Sequence, residues 1–378
     1  FVSMELVRNQ RIKVKKSFTL PWSDIVLSML VNQLETRKNI FVEKTVGVKK
    51  YIAPNIRPLD VVNTARDQSV AAYKSSPTYL FYETLKGFNF RTLASLYNEK
   101  PFMEYTTYEK GALVGKNGVI DLIKDLNNVL GYEIVANNDT LLNYRTGMYA
   151  SELIKHDIRN KSISRKVYNY HDNFENEDHI VSGVTKGKTE YPLASSVALN
   201  PRGQRVSDFP ARTYVVPTSL HNRSDGQHAT PDNTYPYEAY GAEKWLQRRN
   251  SQMTQIQSGL SVNILCHGNT YVNAGQKVIL NLPYTAALKA ADGQTNDRFY
   301  KGPFLIKNIR HDFEFGKSPQ KHTMLMSLVK DSIEEPLDGP LDNYEPFAQG
   351  DITIIKQKED YDGVEIKTVP PGIFGGIT

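Results

Sequence analysis

The sequence predicts an α+β, β-rich fold, in which a β-barrel or sandwich with a packed helix is split by insertions and joined to a small α+β accessory domain. Apolar residues between Glu238 and Gln257 recur at spacings of three, four and seven, which is typical of one amphipathic helix. Beyond Gly259 the period changes to two, which predicts four strands between residues 260 and 329. A slip of phase near Lys307-Asn308 predicts a β-bulge in the third strand. This unit needs no cofactor.

The residues before this unit predict the accessory domain, over residues 20–110. Ser23 is a typical cap for a helix from Asp24 to about Arg37, and Pro58 stands at a typical first helical position. Strand-like runs on both sides of Lys86-Gly87 predict a tight hairpin.

Residues 1–19 predict the end of an earlier strand, followed by a basic, extended link. Side chains alternate in a strand-like pattern from Phe1 onward, and no signal-peptide pattern follows. We therefore expect a leading segment, as large as a whole domain, to be missing from the sequence.

Residues 111–172 and 237–330 predict a single second barrel whose two parts are separated in sequence. A long strand that begins at Gly147 and a returning strand from Ser162 to Tyr170 predict a hairpin. No other strands lie nearby in sequence, so we expect this hairpin to complete its ladder with the strands of residues 260–329.

One polar stretch separates the two parts of that barrel in the sequence, and another follows it. The insertion 173–236 is rich in Pro, Gly, Ser, Asn and Asp, with weak strand signals at Ile180–Val184 and Thr213–Val216. It is either an arm that reaches a partner or a disordered segment. The tail 331–378 is acidic, and we expect it to run as an extended chain along another surface.

Charge and composition exclude several classes of protein. The net charge of +5 is spread over interspersed residues of both signs, which indicates a solvated surface and does not predict specific nucleic-acid binding. No run of eighteen apolar residues occurs, so no transmembrane helix and no membrane insertion are predicted. Cys266 is the single cysteine and lies on the apolar face of a strand, so we interpret it as a buried core residue that forms no intrachain disulfide.

The histidines do not predict a metal site. His221 and His228 are seven residues apart around Asp225, but Gly and Pro place them in a loop, where solvated histidines are the rule. We expect His156 to make a structural hydrogen bond at a strand end. His311 is interpreted as a core histidine on the inward phase of its strand.

No catalytic motif is present either. The sequence has no G-x-S-x-G nucleophile elbow and no Walker phosphate loop. Arg248-Arg249 is interpreted as a solvated helix face, and carboxylate pairs in an acidic tail carry no glycosidase signal. We therefore assign no catalytic, cofactor-binding or metal-binding residue, and expect no cofactor and no enzymatic activity.

The order of several segments does resemble one family, the central baseplate hub proteins of T-even-like contractile-tailed bacteriophages. The resemblance covers residues 1 to about 332. The segments that carry it are Asn55–Ala65, Tyr79–Tyr97, Gly147–Ser162, Val167–Phe174, Ala242–Met253, Gly275–Pro283 and Phe304–Leu328.

The resemblance implies a structural role in the virion. Hub proteins of this family carry two tube-like β-barrels per chain and form homotrimers, so that six barrels continue the hexameric tail tube above a trimeric central spike. Such duplication resolves the mismatch between sixfold and threefold partners. Here the second barrel would be residues 111–172 and 237–330, and the first would end at Leu6. The implied partners are the tail tube and spike proteins, with tape-measure and wedge proteins as further candidates, and DNA would pass through the channel during ejection.

Three alternatives remain open. A baseplate peptidoglycan hydrolase would need two carboxyl groups in a cleft. A carbohydrate-binding spike module would show exposed aromatic platforms, for which Tyr235, Tyr237 and Tyr240 are candidates. A secretion-system spike hub would share the trimeric architecture. For the hub, we expect a localisation in the phage tail baseplate, after synthesis in the host cytoplasm.

Overall fold

The computed structural model shows a mixed α+β, strand-rich protein. It describes residues 2–108, 121–136, 139–157, 161–181, 208–218, 241–283, 296–316 and 320–333. The helices are α1 (Met4–Arg11), α2 (Trp22–Ser28), α3 (Pro58–Gln68), α4 (Leu93–Tyr97), α5 (Leu122–Leu126), α6 (Thr140–Arg145), α7 (Tyr170–Asn173) and α8 (Ala242–Ser258). The strands are β1 (Val14–Leu20), β2 (Ile40–Val42), β3 (Lys49–Ile56), β4 (Tyr79–Thr84), β5 (Gly87–Thr92), β6 (Glu104–Thr106), β7 (Val129–Ala136), β8 (Ala150–Asp157), β9 (Ser162–Asn169), β10 (Arg212–Thr218), β11 (Leu260–His267), β12 (Lys277–Pro283), β13 (Asn296–Glu314) and β14 (Lys321–Lys330).

Two small sheets and the helices α2, α3 and α4 make up most of the region predicted as the accessory domain, whose strand β6 joins the larger sheet described below. β1 pairs antiparallel with β3, and β5 lies between β2 and β4 in a separate sheet. The helices α2 and α3 pack together over a core that includes Trp22, Val61 and Phe90. The predicted hairpin at Lys86-Gly87 is confirmed, because β4 and β5 pair across it. Pro58 is the first residue of α3, as predicted.

The prediction of a strand at residues 1–7 is wrong, because Met4–Arg11 is helical. Charge placement favours this helix, with an acid in its first turn and bases in its last turn. Glu5 accepts hydrogen bonds from Thr36 and Lys38, both at 2.7 Å. The Arg8 guanidinium donates to the carbonyl of Leu34 at 2.8 Å. The segment therefore docks on the end of the helical turn that follows α2.

Six strands curl into a barrel-like sheet in the order β6-β12-β13-β14-β11-β7. The two outer strands meet at an isolated parallel bridge between Thr106 and Asn128, which draws the sheet round on itself. Inward-facing side chains such as Val262, Phe304 and Met326 are fully buried and fill the interior, as expected for a barrel of so few strands. The predicted bulge is confirmed by the register shift between Ile306 and Asn308.

The hairpin β8–β9 forms as predicted, but its predicted pairing with the strands of residues 260–329 is wrong. It belongs to a separate sheet in the order β10-β8-β9. The reason is β10, which comes from the insertion and pairs in parallel with β8, so the hairpin finds its ladder partner there. One face of this sheet packs through Leu153 against Trp245 of α8.

Helix α8 lies between these parts and contacts all of them. It packs against α3, α6, β8, β9 and β14. The helix also buries polar side chains, because Gln247 is buried and donates to the carbonyl of Ser151 at 2.8 Å. Farther along the helix, Ser251 donates to the carbonyl of Met148 at 2.8 Å. Residues 182–207 and 219–236 of the insertion lie outside the described residues, and the predicted domain boundaries remain a prediction.

Candidate interaction surfaces

The open edge of the barrel-like sheet carries the largest group of exposed apolar side chains that lie close together in sequence. We call this surface the β7 edge. It comprises α5, β7 and α6, with exposed Leu122, Ile123, Leu126, Leu130, Val135, Leu141, Leu142 and Tyr144. Beyond the bridge at Asn128, β7 has β11 as its strand partner among the described residues. An unpaired strand edge with apolar neighbours is a typical site for association with another chain.

Local sequence explains why these leucines point outward. The carboxylate of Asp121 accepts the amide hydrogen of Ile123 at 3.1 Å, which begins α5. In the same way Asp139 accepts the amide hydrogen of Leu142 at 2.9 Å and begins α6. Both helices are short, so each turns its leucines to solvent instead of burying them in a core of its own.

A second exposed cluster lies on the hairpin of β13 and β14, beyond the mouth of the barrel. We call it the aromatic tip, formed by His311, Phe313, Phe315 and His322. Phe313 stacks on His322 with ring centroids 4.1 Å apart, and Phe313 and Phe315 stack at 6.1 Å. Gly268 makes room for this arrangement, since a Cβ there would come within 2.1 Å of the His322 ring.

His311 is therefore not the core histidine that we predicted. His311 lies on the same face of β13 as Ile309, which packs against the core. The hairpin extends past the barrel, so this face is half-buried at His311 and exposed at Phe313. Its Nδ1 lies 3.1 Å from Nε2 of His322. Burial, and then the neighbouring His322, lower the pKa of His311.

A buried network joins the end of β14 to the segment that follows α7. Nδ1 of His179 lies 2.8 Å from a carboxylate oxygen of Asp331, and Nε2 lies 2.7 Å from the carbonyl oxygen of Phe174. The amide of Ile180 donates to the same carboxylate at 3.1 Å. Both ring nitrogens of His179 face acceptors, so the doubly protonated ring satisfies the site best. Asp331, predicted to begin an extended tail, is instead part of the packed structure.

Arg248 and Arg249 are structural clamps and not a solvated face. Arg248 donates to both carboxylate oxygens of Glu177, at 2.8 and 2.9 Å. Arg249 is largely buried and donates to the carbonyl of Tyr79 at 2.8 Å and to Asp67 at 3.0 Å. Burial lowers the pKa of Arg249 to about 10. Through these contacts α8 holds the accessory domain in place. Both guanidinium groups are bound by carboxylates and carbonyls of the protein itself.

The remaining predicted residues carry no reactive chemistry in the described structure. Cys266 is fully buried, as predicted, and burial raises the pKa of its thiol to about 12. His156 lies near the exposed end of β8. The loop histidines His221 and His228 and the three candidate tyrosines lie outside the described residues.

Two features are absent from the described ranges, a metal-binding cluster and a membrane-crossing helix. No group of three or more His, Cys, Asp or Glu side chains in them is placed to hold a metal ion. Among the helices described, none has the length and apolar character that would let it cross a membrane.

Sequence reasoning missed the His179–Asp331 network and the β7 edge. Residues 174–181 lie in a polar stretch without periodicity, so nothing in the pattern marks His179 as buried. The leucines of the β7 edge did give a signal, since two short helical patterns follow Asp121 and Asp139. Their amphipathic spacing predicts a buried face, whereas the structure leaves that face open.

No family model matches the sequence, and no curated protein matches it. Among solved structures, the chain is similar to one titled "Structure of the Phage P2 Baseplate in its Activated Conformation with Ca". The two share 8% sequence identity at a TM-score of 0.21, and the match covers 90% of this chain and 71% of that chain.

Proposed function

We propose that this chain is a structural component of a phage tail baseplate, and specifically its hub. In this role three copies form a trimer with pseudo-sixfold symmetry, which joins the hexameric tail tube to the trimeric central spike. DNA passes through the channel during ejection. The tube and spike proteins are the proposed partners.

The observation that carries this proposal is the barrel-like sheet with its open, apolar β7 edge. A filled interior makes the sheet stable, and an edge of β7 that has no strand partner among the described residues favours contact with a neighbouring subunit, as do the exposed leucines of α5 and α6. The organisation around α8 is consistent with a rigid adapter, because polar clamps fix the other sheets to one helix.

The β8–β9 hairpin lies outside the proposed ring contact. The hairpin adds no strand to the barrel-like sheet, so the ring contact is assigned to β6, β7 and β11–β14 alone. The outer face of the hairpin sheet, which includes Ile163 and Val215, becomes a further surface for contacts outside the ring.

Oligomeric state and symmetry test the proposal directly. We expect mass photometry and light scattering of the purified chain to show a trimer, and negative-stain images to show a closed ring. A chain that stays monomeric in the presence of tube and spike proteins would contradict the hub assignment.

Substitutions at the β7 edge test which surface is used. Leu122 and Ile123 are 79% and 73% exposed. Burying both side chains would contribute roughly 2–4 kcal/mol to the association free energy of each contact between subunits. The double variant Leu122→Asp/Ile123→Asp should therefore weaken assembly by tens- to several hundredfold. The matched control is Ile163→Asp/Val167→Asp, which changes two apolar residues exposed by 63% and 56% on the other sheet. Equal effects of both double variants would count against the β7 edge.

A further inference from the structure

The two-stranded sheet β1–β3, with the residues that flank it, forms a strongly basic ribbon. Its sequence segments, 6–23 and 44–59, contain no aspartate or glutamate. They contain nine basic residues, namely Arg8, Arg11, Lys13, Lys15, Lys16, Lys44, Lys49, Lys50 and Arg57. We call this surface the basic ribbon. So many like charges without acids raise the local potential and favour an anionic partner.

Geometry leaves this ribbon accessible. One face packs on the accessory core through Val14, Phe18 and Ala53. The opposite face presents Lys15 and, opposite Ser17, the side chain of Ile52, which is 65% exposed. Across the described ranges, β1 and β3 pair only with each other, so each keeps an open edge. Lys13, Lys15 and Lys16 make no ion pair with a carboxylate in those ranges.

The sequence itself supplies a partner of opposite charge. Residues 334–378 carry ten acidic and three basic residues, whereas residues 1–333 carry 43 basic and 31 acidic residues. The net charge of +5 thus divides into −7 on the last 45 residues and +12 on the rest. Within the acidic segment, the four consecutive residues Ile352 to Ile355 are all β-branched, a composition typical of a strand.

We propose that this acidic tail binds the basic ribbon of its own chain. Carboxylates would meet the lysines. A tail strand added at an open edge would place Ile352 and Ile354 on one face, where they would cover Ile52. The 18 residues that link Ile333 to Ile352 span up to about 60 Å in extended form, which sets the reach of the tail. Covalent attachment also gives the tail an effective concentration in the millimolar range, which favours it over partners in solution.

Zero-length carbodiimide crosslinking of the full chain, read by mass spectrometry, tests the proposal. We expect amide crosslinks between tail carboxylates and Lys49 or Lys50. In the variant Lys13→Glu/Lys15→Glu/Lys16→Glu, those crosslinks should fall at least tenfold, although Lys49 and Lys50 are unchanged. The matched control Lys86→Glu/Lys307→Glu/Lys321→Glu has the same net charge and should keep them. Circular dichroism confirms that both variants are folded.

Several outcomes would overturn the proposal. Tail crosslinks that fall equally in the control variant would show a general charge effect. Crosslinks between isotopically labelled and unlabelled chains in a mixture would place the tail on another copy. A further outcome is that the unmodified chain shows no tail crosslinks but binds duplex DNA at physiological salt. If the ribbon variant then loses this binding, the ribbon is assigned to nucleic acid instead.

Discussion

Replacing Asp331 with asparagine should destabilise the protein through one buried network. His179 and Asp331 are almost completely buried, and the carboxylate accepts hydrogen bonds from the His179 ring, the Ile180 amide and the Ser332 hydroxyl. Removing one partner of a buried ion pair costs about 3–5 kcal/mol. Asparagine keeps its shape and one acceptor oxygen, so we expect a loss near the lower limit, about 3 kcal/mol.

The same substitution should change how stability depends on pH. Burial alone lowers the pKa of His179, but the Asp331 carboxylate and the Phe174 carbonyl outweigh this effect and raise the pKa above its ordinary value of 6.5. The stabilisation is therefore complete below pH 6.5 and is lost as pH rises through the raised pKa of the folded state. Each unit by which the pKa is raised contributes about 1.4 kcal/mol. In Asp331→Asn this dependence should largely disappear.

Urea unfolding between pH 5.5 and 9 measures both effects. Tryptophan fluorescence is a suitable signal, because Trp22 and Trp245 are both buried and Trp245 lies on α8. The matched control is Asp125→Asn, which breaks an exposed His–Asp pair with His267 at 3.6 Å and should cost less than about 1 kcal/mol. Parallel stability-versus-pH curves for the unmodified chain and Asp331→Asn would refute the reasoning.

Three further predictions concern packing, backbone and thiol chemistry. Phe304→Ala should lower the free energy of unfolding by about 3–5 kcal/mol, because this side chain is fully buried in the barrel. The control Phe315→Ala, at a 77% exposed site, should lower it by less than about 0.5 kcal/mol. Gly87→Ala should cost over about 2 kcal/mol by thermal unfolding, since φ is +134° and a Cβ would lie 2.1 Å from the carbonyl oxygen of Asn39; an unchanged midpoint would contradict this. Cys266 should react with a disulfide reagent at pH 8 only after urea is added, and prompt reaction of the folded chain would show that it is accessible.

Local patterns predicted most of the individual elements. The change of period after Gly259 marks the barrel strands, and the phase slip marks the bulge between Ile306 and Asn308. These features were readable because one face of each strand is buried, so alternation is imposed by the core. The hairpin at Lys86-Gly87 could be predicted for a different reason, since few residues adopt the backbone conformation of its turn.

Pairing between distant segments was not readable in this way. The β8–β9 hairpin has apolar residues on both faces, so its pattern does not specify a partner sheet. Its actual partner, β10, was identified as a weak strand but placed in an insertion. Arg248 shows the same limit for side chains, because a solvated arginine and one bound to Glu177 look alike in sequence. Alternation reports that a face is buried, but not what buries it.

The open edge of the barrel follows from the length of one strand. β6 has three residues, so it can bridge the start of β7 at Asn128 but cannot pair along the rest of it. Among the described residues, the outer amides and carbonyls of β7 thus lack a strand partner, and the exposed leucines of α5 and α6 belong to the helices that precede and follow β7 in the chain. A strand laid along β7 by a neighbouring subunit would complete the ladder and cover the leucines in one step. A charge on the apolar side chains should therefore weaken assembly without unfolding the subunit, because the interior of the sheet is filled independently of that contact.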